Sequence, residues 1–447
     1  MSEKLSPTSV SVKVDEKAQE LETVVSLLAE DTEAFPEGGV HAWIVLVGTT
    51  SGFFATFGYV NSWGVFQAYY QEKLLHSSTP SEISWIGSIQ VRVLRGEPAV
   101  PHRESPKHAM IFLPAVLVGH LFDIGYYRFP FLVGSLLVVL TTLLVPECKQ
   151  YWHFMLCQGF GVGIGSGLMF CTMFTIVTHW FKRRRGFALG FTCFGGAIGA
   201  TVQPIILRQL ISKLGFPWAM RILAFILLLM LVVTNLSIKR RLAPNKTPGG
   251  LLGLQTYHNI PFVVFNICSF ITGLGLFTML TYISSSAIEF GISPNFAFYL
   301  VAIINFSSGI GRVTSGVLGD YYGPMNIMTI MTAIAGCATI AWPFCRTIAR
   351  ITGISVLYGF SSGAWLALIG SAVGQMGDIE DLGRRLGALN TVAGIATLCG
   401  PPISGLFVES RLGFISVGAF AGDALLVGAC LIFVSRLFAA PGLWRKY

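Results

Sequence analysis

Two aspartates stand where a carboxylate could latch helices together. The first lies in Gly119-His120-Leu121-Phe122-Asp123-Ile124-Gly125-Tyr126-Tyr127-Arg128, between two apolar runs, and the second in a later echo, Gly316-Val317-Leu318-Gly319-Asp320-Tyr321-Tyr322-Gly323-Pro324. In each copy an apolar helix reaches a glycine, an aspartate follows one turn on, and a further glycine (Gly125, Gly323) opens a reversal of direction. A glycine lets a neighbouring backbone approach closely, and the aspartate beyond it can accept hydrogen bonds from a helix N-terminus or pair with an arginine. Either copy by itself also fits a short polar turn between helices. Their recurrence points to one unit used twice, as many secondary transporters are built.

The elements that must carry these aspartates follow from composition. Hydrophobic residues are 53% of the 447-residue chain and charged residues only 12%, against roughly 25% charged in soluble domains. Mean hydropathy is +0.67. Such a chain is an all-α polytopic membrane protein with room for about 12 spans of roughly 20 residues. The net charge of +8 does not point to nucleic acid, because the basic residues cluster in short loops between apolar runs, the positive-inside pattern. The nine cysteines are scattered, mostly within apolar runs, and have no metal-ligand spacing. Enzyme readings find no support: there is no Walker loop, no H-E-x-x-H, and the histidines lie singly. No cofactor or metal is expected.

Residues 1–36 are polar and acid-rich and read as a disordered cytosolic tail. An N-terminal six-helix bundle is expected over 37–238, a cytosolic linker over 239–259, a C-terminal six-helix bundle over 260–438 and a short cytosolic tail over 439–447. Within the first bundle, 91–110 is anomalous, carrying Arg92, Arg95, Glu97, Arg103, Glu104 and Lys107 inside what should be span two. Each such charge would cost about 2.5–3.5 kcal/mol at the centre of a span. Without it, Ile83 to Gln90 joins Ile111 to Phe122 as one apolar helix of about the required 20 residues. A gene-model error and a genuine extracellular insertion are the two readings. Span one is expected from His41 to Tyr70. Basic residues after spans four, six and ten (Lys182 to Arg185, Lys239 to Arg241, Arg384 and Arg385) place both termini in the cytosol.

Polar residues on otherwise apolar helices are the candidates for a substrate cavity. Asn61, Gln67 and Asn305 could hydrogen-bond a substrate or a neighbouring helix equally well. Arg312 could bind a substrate carboxylate, or snorkel and gate beside Asp320. Tyr282 and Trp365, with Phe277 and Phe360, could wall an apolar substrate, although aromatic residues at these spacings also serve as plain packing. Asp423 is the carboxylate deep in span twelve, and an intramembrane acid is a functional candidate by default. The string Gly159, Gly161, Gly163, Gly165, Gly167 lacks dinucleotide-loop spacing and reads as helix packing.

Three further runs carry a resemblance: Glu37-Gly38-Gly39-Val40-His41-Ala42-Trp43, Trp180 to Gly190, and Gly400-Pro401-Pro402-Ile403-Ser404-Gly405. Together they resemble the monocarboxylate-porter family of the major facilitator superfamily, most of all its fungal branch. The resemblance covers the chain from about Pro36 onward, apart from the insert. It implies two pseudo-symmetric six-helix bundles around a cavity that opens alternately to each side, in the plasma membrane. It also implies a gate formed by Gly119, Asp123, Gly125 and Arg128, with Gly316, Asp320 and Gly323 as the counterpart. The animal lactate carriers of this family bear a lysine where an ungapped alignment from Trp43 puts Asn61, and an aspartate where Ser308 precedes Arg312. Simple lactate–proton symport does not fit those departures. The expectation is a secondary transporter of a small organic acid or secondary metabolite, as an exporter, with protons as the coupling ion and the lipid bilayer as its setting. An uptake carrier for a carboxylate or vitamin-like nutrient is the alternative, and a non-transporting sensor the alternative from another class.

Overall fold

The computed structural model describes residues 37–70, 73, 114–242, 257–377, 381–408 and 410–439. The expected tails, the anomalous 91–110 segment and most of the expected linker lie outside the described residues. The described chain is helical: α1 Val40–Asn61, α2 Trp63–Tyr69, α3 Ala115–Asp123, α4 Arg128–Leu144, α5 Tyr151–Phe154, α6 Val162–Thr178, α7 Arg185–Leu214 and α8 Phe216–Ser237 make the first half. The second half holds α9 Ile260–Leu276, α10 Thr278–Glu289, α11 Pro294–Tyr322, α12 Pro324–Ala341, α13 Ile348–Gln375, α14 Leu382–Val408 and α15 Phe414–Ala439. A π-helical turn, Met155–Gly161, joins α5 to α6. Among the described residues, 11 stretches are long and apolar enough to cross a membrane. Helices answer the demand that lipid imposes, since every backbone N–H and C=O must be satisfied within the span.

The two halves repeat one packing scheme. In the first, α1 packs on α7 and α8, α4 on α6 and α8, and α3 on α6; in the second, α9 packs on α14 and α15, α12 on α13 and α15, and α11 on α13. Leu136, Leu140, Phe225, Leu229, Leu236, Ile330 and Val434 are exposed on the outside, as lipid-facing positions should be. The halves meet along two symmetry-related seams, α7 against α11 and α14 against α3.

Small residues make those seams close. A Cβ built on Gly119 would sit 2.1 Å from Gly383 O, and one on Gly316 would sit 2.3 Å from Gly186 O. Gly190 backs onto Arg312 O and Gly387 onto Ala115 O, at 2.4 Å in each case. In the glycine string, Gly161 lies against Thr141 and Gly165 against Val138, so those glycines pack span four on span three.

Span one departs from the expected single helix. It breaks at Ser62, where Asn61 Nδ2 donates to Phe57 O and Ser62 Oγ to Gly58 O, both at 2.8 Å. Side chains that bond back to the preceding turn compete with helix continuation. The break sets Asn61 at the end of α1, beside the space between the halves.

The seams yield a prediction. Gly119→Val and Gly186→Val should each destabilise the purified protein by about 1–3 kcal/mol through overpacking, while Gly353→Ala, with nothing within 4 Å of the new Cβ, should have little effect. Thermal denaturation in detergent measures the difference, and equal melting of the three variants would contradict the close seams.

Candidate functional site

The latch is built from the helix ends upward. The second and third residues of α14, Gly383 and Arg384, donate their backbone N–H groups to Asp123 at 3.0 and 2.8 Å. The second and third residues of α7, Gly186 and Phe187, donate theirs to Asp320 at 2.7 and 2.8 Å. Helix N-termini leave such donors without intrahelical partners and carry positive partial charge. Each aspartate therefore caps a helix of the opposite half, and the two caps are related by the same symmetry as the seams. Glycine at the second position of each capped helix leaves room, since a Cβ on Gly383 would lie 2.3 Å from Asp123 Oδ1 and one on Gly186 2.8 Å from Asp320 Oδ1.

Charged neighbours reinforce the first cap. Arg384 Nε lies 3.8 Å from Asp123 Oδ2, and the same guanidinium contacts Asp381. Arg240, just after α8, donates to Phe122 O and Asp123 O and stands over the Phe122 ring at 5.0 Å. His179 packs edge-on against that ring at 5.2 Å. Burial first, then Arg240, Arg185 and Arg241, push the His179 pKa down to about 3, so it adds no cation to the cluster. Glu37 accepts from the backbone N–H groups of Lys182, Arg183 and Arg184, which fixes the loop leading into α7.

The gate residues expected from sequence separate here. Gly119, Asp123, Gly316 and Asp320 come together in the seams, and Gly125 and Gly323 turn the chain at φ 102° and 93°. Arg128 does not join them. It is exposed, with its Nε on Tyr127 Oη at 3.2 Å, because α4 starts there and carries its side chain outward. Arg240 and Arg384 are the arginines that contact the Asp123 turn.

Away from the latch, a small cavity of about 30 Å³ lies between the halves, lined by Phe57 and Asn61 from the first and by Phe277, Asn305, Ser308 and Arg312 among others from the second. Arg312, only 6% exposed, donates Nη1 to Cys193 O on α7 at 2.6 Å, and its Nε has no partner among the described residues. Asp320, Gly316, Arg312 and Ser308 form a row at four-residue spacing on α11. By the 1.5 Å helical rise, the latch aspartate and Arg312 stand about 12 Å apart.

The remaining candidates sit elsewhere. Tyr282 is buried away from the cavity lining and donates to Pro401 O at 2.9 Å. Trp365 is buried on α13, one turn nearer the latch than the lining residue Ser362, and its Nε1 has no partner among the described residues. Gln67 lies on α2, with its side chain outside the described part. Asp423 is exposed on the outer surface of α15, not in the cavity; its helix turns that position away from α9 and α12. Sequence reasoning missed Arg240, Cys193 O and the donors at Gly186 and Gly383. Each basic run that opens a helix, Lys182 to Arg185 and Arg384 to Arg385, was the available signal for those donors.

Comparisons with known proteins match this geometry. The model of the Major Facilitator Superfamily matches residues 48–377 and 265–446. MFS-type transporter 1 of Ophiocordyceps sp. (strain BCC 1869) is 32% identical over 420 residues, covering 93% of this chain and 90% of that protein. The aspyridones efflux protein apdF of Emericella nidulans is 33% identical over 416 residues, covering 93% and 81%. Among solved structures, FucP in the outward conformation superposes with a TM-score of 0.66 at 14% identity, covering 89% of this chain and 99% of that one. The human organic anion transporter MFSD10 superposes with a TM-score of 0.63 at 15% identity, covering 88% and 100%. Those two likenesses concern the fold. With the family model and the fungal relatives spanning nearly the whole chain, the protein belongs to the major facilitator superfamily and is a multi-pass membrane transporter, not an enzyme.

Proposed function

We propose that this chain exports a small fungal metabolite by alternating access and that its two exchanged carboxylate caps are the gate of one face. The observation that carries the reading is the pairing of Asp123 with the start of α14 and of Asp320 with the start of α7. The N–H groups of Gly186, Phe187, Gly383 and Arg384 reach their aspartates across the seams, so parting the halves on that face must break both caps together. The cavity lies beyond the caps, between the same two halves, where a substrate would be enclosed when they are closed.

The basic residues around the caps, Lys182 to Arg185, Lys239 to Arg241, Arg384 and Arg385, support a cytosolic gate, with both termini on that side and the protein in the plasma membrane. Export is supported by relatives named as efflux proteins for aspyridones, fujikurins and agnestins. The monocarboxylate-porter branch fits the three sequence runs that carry that resemblance, and protons are taken as the coupling ion on the same ground. Opening needs the caps to be matched by differential substrate affinity, since a ligand shifts an equilibrium only by that difference.

Flux into inverted vesicles tests the gate. Asp123→Asn and Asp320→Asn each exchange an acceptor oxygen for an amino group facing a backbone donor, at about 1.5–3 kcal/mol for a lost charged hydrogen bond. Each should cut flux about tenfold or more without changing the amount of protein in the membrane. Arg240→Ala should also impair flux, whereas Arg128→Ala should leave it near wild type. Normal flux in both aspartate variants, or a collapse in Arg128→Ala alone, would contradict the assignment.

A further inference from the structure

The cavity presents a ligand with two side-chain amides that the fold has already oriented. Asn61 Nδ2 donates to Phe57 O at 2.8 Å, and Asn305 Nδ2 donates to Val301 O at 3.0 Å. Each amide is thereby tied to its own helix one turn back. Its Oδ1 accepts no hydrogen bond from a described residue, and both residues line the cavity, one from each half. Arg312 is the cation in that lining, held by Cys193 O and with a buried Nε free of described partners. Seven residues of α11 separate Asn305 from Arg312, which is about 10 Å along the helix at 1.5 Å per residue. Phe57, Leu276, Phe277, Leu280 and Ile304 fill the wall around them.

We propose that the cavity selects its substrate by two carboxamide oxygens, Asn61 Oδ1 and Asn305 Oδ1, which accept hydrogen bonds from O–H or N–H groups on an apolar body whose other end presents an acceptor to Arg312. The inference rests on the reading of this space as the substrate cavity. A lysine at position 61 would ask for an anion there. A carboxamide tied down through its nitrogen asks for a donor. The ligand class is thus an elongated, largely apolar acid with a hydroxyl or amide N–H remote from its acidic group, and not a simple short carboxylate. Because one amide belongs to each half, a substrate that engages both also bridges the halves, which ties occupancy of the cavity to their approach.

The test uses the purified full-length chain and a matched pair of probes, para-hydroxycinnamate and its O-methyl ether. The two share an acid and a rigid apolar frame; the ether carries a methyl group in place of the hydroxyl hydrogen and so lacks the donor. A hydrogen bond to a neutral buried acceptor is worth about five- to tenfold in affinity. Wild type should bind the hydroxy acid about five- to tenfold more tightly than the ether, by calorimetry, and move it correspondingly faster into inverted vesicles. Asn61→Ala and Asn305→Ala should each shrink that preference toward unity, while Thr314→Ala, on the exposed side of α11, should keep it. Equal binding of the two probes by wild type would overturn the inference without any variant having to fold, as would a preference that survives in both asparagine variants. If neither cinnamate binds but vesicles still take up other fungal metabolites, the inference falls and the export reading stands. If vesicles take up nothing that empty vesicles do not, both fall.

Discussion

The structure depends on two helix beginnings whose backbone N–H groups are satisfied across the seams between the halves. The N–H groups of Gly186 and Phe187 open α7, those of Gly383 and Arg384 open α14, and the residue before α7 offers no side-chain cap. Each pair finds its acceptor in an aspartate of the opposite half. In the proposed gate these ends face a membrane surface, where water would replace the carboxylates when the halves part. A buried pair deep in the bilayer would lack that exit, since its freed groups would face hydrocarbon.

One helix carries that constraint to the cavity. On α11 the row Asp320, Gly316, Arg312 and Ser308 meets, in turn, the α7 N-terminus, the backbone of Gly186, the Cys193 carbonyl and the cavity. A packed helix moves as a unit, so a ligand that repositions Arg312 acts on the cap about 12 Å away. The first half repeats the row on α3, where Asp123, Gly119 and Ala115 meet α14. Among the described residues, α11 alone carries both a cap aspartate and cavity-lining residues, so in the proposed mechanism it is the helix that links the cavity to a cap.

Much of the fold was legible because lipid dictates composition. Apolar runs of the right length mark the spans from Tyr151–Thr178 to Phe414–Ala439, and the two aspartates show themselves by repeating a glycine one turn earlier. What the sequence hid was partnership. Arg128 looks like the natural partner of Asp123 because it is near in sequence, yet the carboxylate's donors come from Gly383 and Arg384, a contact between halves that leaves no periodic trace. Tyr282 and Trp365 were indistinguishable from cavity walls for a similar reason: a packed aromatic and a ligand-facing one have the same neighbours along the helix. Asn61 was visible as a polar residue in an apolar run, but its place at the end of α1, where the helix breaks at Ser62, was not. Asp423, deep by position, turned out to face outward, since depth along a helix says nothing about its rotation.

If the Asp123 cap holds the two halves together on its face, a native thiol that lies against the capped helix end will report it. Cys171 is fully buried and points its Sγ at Gly383 O, 3.8 Å away. Cys268 is as buried but belongs to the second half alone, against Gly428 O at 3.3 Å. Pulse labelling with N-ethylmaleimide in membranes, read by mass spectrometry of the two cysteine peptides, measures how often the cap parts. Slow labelling of Cys171 is expected in wild type and labelling about tenfold or more faster in Asp123→Asn, with Cys268 unchanged. Equal Cys171 labelling in the two proteins would show that the cap does not hold the halves together.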